Sequence, residues 1–177
     1  MAVGSHRRRF LLAGGALACV AVATRLSWRA AADGRGHFPV SHSDAEWLRM
    51  LGARRYGVLR AGGTERPFSS PLLHERGEGQ FVCAGCAKPL FSSQTKFDSG
   101  TGWPSFWAPL ADATLTRRDD SFAMRRMEVL CSACGGHLGH VFHDGPAPTG
   151  LRYCMNGLAL DFRGASANNH VSGDHQV

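Results

Sequence analysis

The sequence predicts a mainly-β domain with short helices along its N-terminal edge, and three observations carry that expectation. From Phe68 onward, apolar runs of roughly three to six residues alternate with Gly, Pro, Asp and Ser, as short strands joined by tight turns require. After residue 65 no apolar periodicity supports a helix longer than about three turns. Helical spacing is confined to the segment just before it. A chain of 177 residues holds one ordinary domain plus extensions. Its 44% apolar and 19% charged content argues against disorder throughout.

Residues 1–32 carry five arginines (Arg7, Arg8, Arg9, Arg25, Arg29) and no acid, so all but one unit of the net charge of +6 belongs to this segment. Outside it the charges nearly balance, which removes the main support for phosphate-backbone binding; no nucleic-acid partner is expected. A basic head, a short apolar middle ending near Ala23 and small residues beyond it make an export leader. The apolar stretch is too short for a membrane span, which needs about 20 residues. Arg7-Arg8-Arg9-Phe10-Leu11 fits the twin-arginine pattern, the address of a route that exports folded proteins. Cleavage could follow Ala23 or Ala32, and Cys19 would leave with the leader. The expectation is an exported chain, periplasmic in a bacterium, that meets the membrane only through this leader. Residues 33–42 read as a linker.

The domain is expected over residues 43–163. Ser43 with Glu46 three positions on is a capping box, and Trp47, Leu48 and Leu51 follow at helical spacing before a stop at Gly52. A second helical turn is expected over 54–59, broken by Gly62-Gly63. Strands are expected over 80–83, 89–91, 121–124, 128–130, 140–142 and 157–162. Residues 164–177 form a polar tail.

Four of the six cysteines form two pairs, Cys83-Ala84-Gly85-Cys86 and Cys131-Ser132-Ala133-Cys134, each closing an apolar run and followed by small residues. That is the build of a zinc knuckle: a strand delivers one thiolate and a tight turn returns the second. Two knuckles brought together hold one tetrahedral zinc through four thiolates, a closed structural site. Two disulfides, or a redox-active Cys-x-x-Cys, are the competing uses. Haem attachment is excluded, because Ala87 and Gly135 stand where a His is needed.

Cys154 is left over, in Arg152-Tyr153-Cys154-Met155-Asn156. It is either a reactive thiol or an inert core cysteine. Three histidines fall close together in His137-Leu138-Gly139-His140-Val141-Phe142-His143. They could bind a hydrolytic metal, serve as structural groups, or supply protons beside a nucleophilic thiol, with His137 and His140 converging around a bend. In Gly100-Thr101-Gly102-Trp103-Pro104-Ser105, two glycines and a proline hold Trp103 on a constrained turn. Its indole can wall a small apolar group such as a methyl on sulfur, or simply pack in the core.

From about Trp47 to Phe162, two thirds of the chain, these residues resemble the B-type peptide methionine-(R)-sulfoxide reductases. The resemblance rests on Thr64-Glu65-Arg66-Pro67-Phe68, Lys96-Phe97-Asp98-Ser99-Gly100, Gly102-Trp103-Pro104-Ser105-Phe106, His137-Leu138-Gly139-His140-Val141-Phe142, Asp144-Gly145-Pro146 and Arg152-Tyr153-Cys154-Met155-Asn156. It implies two antiparallel sheets packed at an angle and one structural zinc on Cys83, Cys86, Cys131 and Cys134. It implies Cys154 as nucleophile, His140 and His137 as proton-supplying residues with His140 the better donor, and Asn156 in the catalytic set. Trp103, Phe142 and Arg152 are implied to bind substrate. The implied reaction takes the R epimer of methionine sulfoxide in oxidised proteins to methionine and leaves a sulfenic acid on Cys154. Many members carry a resolving Cys where this chain has Thr101. The departure implies that an external thiol, such as a thioredoxin-like protein, reduces the sulfenic acid directly.

Overall fold

The computed structural model describes residue 1, residues 38–120 and residues 125–165. The leader beyond residue 1, half of the linker, the expected strand at 121–124 and nearly all of the polar tail lie outside the described residues.

The capping box forms: the Ser43 hydroxyl accepts from the Glu46 amide at 3.3 Å, and Glu46 accepts from the Ser43 amide at 2.8 Å. Helix α1 (Asp44–Leu59) follows. Gly52, at φ 68° and ψ 164°, breaks it into two segments, the stop and restart that the sequence predicts. The helix buries Trp47, Val58 and Leu59. No helix of the described residues is long and apolar enough to cross a membrane.

Among the described residues nine strands follow: β1 (Gly79–Cys83), β2 (Pro89–Ser92), β3 (Lys96–Phe97), β4 (Ser105–Phe106), β5 (Thr114–Asp119), β6 (Arg126–Cys131), β7 (His137–Phe142), β8 (Arg152–Met155) and β9 (Leu160–Gly164). They form two antiparallel sheets, one in the order β2-β1-β9 and one in the order β3-β4-β8-β7-β6-β5. The sheets meet through aromatic side chains. Phe106 of the larger sheet stacks on Phe91 with centroids 4.4 Å apart and meets Phe81 edge-on at 4.9 Å, and all three rings are fully buried. Such contacts add to simple area burial.

The expected run at 157–162 divides in two. Residues Gly157–Ala159 form a 3-10 turn before β9, because the Glu65 carboxylate accepts from both the Gly157 and Leu158 amides and holds the chain in a turn there. Strands β3, β4, β5 and β8 escape the apolar-run reading. The first two span two residues each, and β5 is an edge strand of mostly exposed polar residues.

Candidate active site

Strand register aligns the site. Cys154 on β8 stands opposite Ser105 of β4 on one side and His140 of β7 on the other, and His140 stands opposite Glu128 of β6. One row across the larger sheet therefore carries thiol, imidazole and carboxylate on the same face. His137 is three residues from His140, so strict alternation would send it to the opposite face. A β-bulge prevents this: Val129 pairs with Gly139 but Leu130 pairs with His137, leaving Leu138 as the extra residue. The two imidazoles then meet edge-on, centroids 5.4 Å apart. The predicted convergence of His137 and His140 is real, and a bulge makes it. His143 is exposed. Among the described residues, the four paired cysteines are the one potential metal-holding group, so no cluster of three histidines supports a hydrolytic metal.

A cavity of about 220 Å³ opens over this row, lined by Cys154, His140, Trp103, Phe142, Asn156 and Arg126 together with Thr64 and Gly139. Trp103 is fixed by its polar edge, Nε1 donating to the Glu65 carbonyl at 3.2 Å. Gly102, at φ 91°, permits the turn before it. A Cβ there would lie 2.8 Å from the Pro67 side chain, so only glycine lets these loops touch.

Asn156 is buried and its amide is spent on backbone. Oδ1 accepts from the Glu65 amide at 3.0 Å, and Nδ2 donates to the Leu138 carbonyl at 3.2 Å. It pins the 64–65 segment, and with it the Trp103 wall, to β7. The Arg152 guanidinium lies over the Phe142 ring, 4.4 Å from its centroid, and donates to both oxygens of Asp144 at 2.8 and 2.9 Å. This bond to Asp144 raises the guanidinium's proton affinity, with the nearby Cys154 sulfur acting in the same direction.

Each imidazole has a carboxylate partner that the sequence reading missed. Nε2–H of His140 donates to Asp119 at 2.8 Å, and Arg126 donates to the same oxygen at 2.8 Å. Burial holds the His140 imidazole below its ordinary range, against the upward pull of the Asp119 bond, and the Arg126 charge reinforces the burial. His137 donates through Nδ1 to Glu128 at 2.8 Å, and Arg117 donates to the other carboxylate oxygen. Burial alone would raise the Glu128 carboxyl, but the bonds from His137 and Arg117 outweigh it and leave the group below its ordinary range. An ionised Glu128 only accepts, so the proton of a neutral His137 sits on Nδ1. Its buried Nε2 has no hydrogen-bond partner among the described residues.

The cysteine pairs meet as predicted. Cys83 Sγ lies 3.7 Å from Cys134 Sγ, Cys86 Sγ lies 3.6 Å from Cys131 Sγ, and all four sulfurs fall within 4.8 Å of one another. Zn–S bonds of about 2.3 Å in a tetrahedron separate sulfurs by about 3.8 Å, whereas a disulfide needs about 2.05 Å. The five described cysteines are free thiols, and the spacing fits a four-thiolate metal ion. The Gly85 amide donates to Cys83 Sγ at 3.4 Å, the turn amide a knuckle supplies. Trp47 of α1 packs against Gly85, and Arg60 donates to the Cys134 carbonyl at 2.9 Å, so the helix covers the knuckles.

Comparison with known proteins agrees with this arrangement. The family model described as the SelR domain matches residues 51–164. The peptide methionine sulfoxide reductase MsrB of Methanosarcina barkeri is 53% identical over 125 residues, covering 70% of this chain and 88% of that protein. The enzyme of the same name from Leptospira interrogans is 49% identical over 128 residues, 72% of this chain and 98% of its own. That of Pseudomonas putida is 56% identical over 119 residues, 67% and 91% respectively.

Proposed function

Since the chain belongs to the SelR-domain family of MsrB-type peptide methionine sulfoxide reductases, we propose that it reduces the R epimer of methionine sulfoxide in oxidised proteins, with Cys154 as nucleophile. The supporting observation is a single one: the Cys154 sulfur shares a small cavity with the Trp103 indole, the His140 imidazole and the Phe142 ring.

The chemistry follows from those neighbours. The Cys154 thiolate, with the Arg152 guanidinium nearby, attacks the sulfoxide sulfur. The sulfoxide oxygen cannot depart as oxide, so an acid must protonate it. His140 is that acid. As imidazolium it carries a proton on each nitrogen, and it gives one up while Nε2 keeps its bond to Asp119. Overall, thiol and sulfoxide become sulfenic acid and thioether: the cysteine sulfur loses two electrons and the methionine sulfur gains them. Trp103 and Phe142 offer apolar surface to the methyl group and the methionine chain. Sulfur in a sulfoxide is a stereocentre, so fixed places for methyl, oxygen and chain admit one epimer. Arg152 braces the Phe142 wall, and Asn156 holds the Trp103 wall in place.

Thr101 replaces the second thiol that many relatives of this type use, so an external thiol, such as a thioredoxin-like protein, restores Cys154. Cys83, Cys86, Cys131 and Cys134 would hold one structural zinc, whose closed four-thiolate shell supplies cross-linking and no open position for chemistry. The reductase domain spans 43–163. The twin-arginine leader at 1–32 would carry it, folded and metal-loaded, out of the cytoplasm to the periplasm.

The deciding experiment compares the parent with Cys154→Ser on both epimers of a blocked methionine sulfoxide, with a dithiol reductant. The parent should consume the R epimer alone and the variant neither. A variant that retains turnover, or a parent that consumes the S epimer, would end this reading.

A further inference from the structure

Four oxygens form a chain that ends at the Cys154 sulfur. The Ser105 hydroxyl donates to the Trp103 carbonyl at 3.1 Å, Ser105 and Ser99 hydroxyls lie 2.7 Å apart, and Ser99 and Thr101 hydroxyls 2.8 Å apart. Thr101 Oγ1 lies 3.7 Å from Cys154 Sγ. Ser105 is fully buried and stands opposite Cys154 in the sheet.

The direction of this chain is determined by counting hydrogens. A carbonyl only accepts, so Ser105 spends its one hydrogen on Trp103. The hydrogen between Ser105 and Ser99 must then come from Ser99. That between Ser99 and Thr101 must come from Thr101. Thr101 is left facing Cys154 with a lone pair, as an acceptor.

An acceptor does nothing for a thiolate. It suits an S–H, and better an S–O–H. The geometry points to Thr101, oriented by Ser99 and Ser105, as the acceptor that holds the Cys154 sulfenic acid in its neutral form between turnovers. The inference deepens the reductase reading and rests on it for the origin of the sulfenic acid. Its consequence concerns further oxidation. The sulfenate anion attacks peroxide, giving sulfinate and water, with the sulfur losing two electrons and the peroxide gaining them. Stabilising the neutral acid slows that step, which protects an enzyme that must wait for an outside thiol.

The test uses Thr101→Val, Thr101→Ser and Ser99→Ala in the full domain, oxidised separately with hydrogen peroxide and with methionine-(R)-sulfoxide. Intact-mass spectrometry follows the +16 and +32 species. Sulfinic acid should form from T101V about fivefold faster than from the parent under equal peroxide, roughly one hydrogen bond's net effect, while T101S behaves as the parent. In S99A the Thr101 hydrogen is released to point at sulfur. The thiolate fraction at neutral pH, read by ultraviolet absorbance, should rise by about the same factor, a change that a merely structural role would not produce. Equal overoxidation in T101V and parent, T101S matching T101V, or an unchanged thiolate fraction in S99A would overturn the inference. A parent that gains no oxygen from the sulfoxide would instead sink the reductase reading. The peroxide arm still reports on Thr101 in that case, and a parent passing through no +16 species there counts against it.

Discussion

Stripping the proposed four-thiolate zinc with a chelator under reducing conditions should remove a cross-link between the two sheets. Cys83 ends β1 of the smaller sheet, and Cys131 ends β6 of the larger. The nearest cross-knuckle sulfurs, on Cys86 and Cys131, are 45 residues apart in sequence and 3.6 Å apart in space. Closing a loop of that length restricts the unfolded chain by about 4 kcal/mol on the chain-entropy account of cross-links. At roughly 3–5 °C per kcal/mol for a domain of this size, the midpoint of thermal unfolding should fall by about 12–20 °C. Circular dichroism melts would read the change, with elemental analysis giving about one zinc per chain before stripping. Adding zinc back should restore the original midpoint. Protein purified without metal but melting at the same temperature, or stripped protein within a degree or two of the parent, would refute the reasoning.

Asp119→Asn removes the anion that raises the His140 pKa against burial, so that pKa should fall further. The protonated imidazole is the proposed acid, and activity is lost as pH rises through its pKa. The descending limb of the pH–kcat/KM profile should therefore move to lower pH in the variant; an unmoved limb would exclude His140 as the acid. Phe106→Ala should cost about 3–5 kcal/mol in denaturant unfolding, because Phe106 is fully buried against Phe81 and Phe91. Gly102→Ala should cost about 1–3 kcal/mol and raise KM more than it lowers kcat, since the new methyl pushes on Pro67 and displaces Trp103. A Gly102→Ala variant with unchanged KM would show that the indole does not shape substrate binding.

What could be read from the sequence was what depends on neighbours in the chain. The Ser43–Glu46 capping box and the stop at Gly52 need only adjacent residues, and each knuckle is a single turn. The partners of the histidines were hidden because strand register sets them. Asp119 lies 21 residues from His140, on a strand whose only apolar residue is Leu115 and which gives no period-2 signal. Glu65 lies 92 residues from Gly157, and although it falls within a recognisable motif, nothing local shows that its carboxylate ends a strand elsewhere. The bulge at Leu138 is likewise a property of the β6–β7 pair. In the sequence Gly139 marks only a break, the feature that allowed convergence without requiring it.

Strand β6 joins the two halves of the machinery. Arg126 and Glu128 point toward the thiol's face, while Val129 and Cys131 belong to the buried core and the knuckles. Deleting one residue inside it would exchange inner and outer side chains along the remainder. A carboxylate would enter hydrocarbon, and a knuckle thiol would swing away at the same stroke. The length of this strand is thus held constant by two unrelated demands, and genetic variation in such a chain should accumulate as substitutions in β6 but not as insertions or deletions.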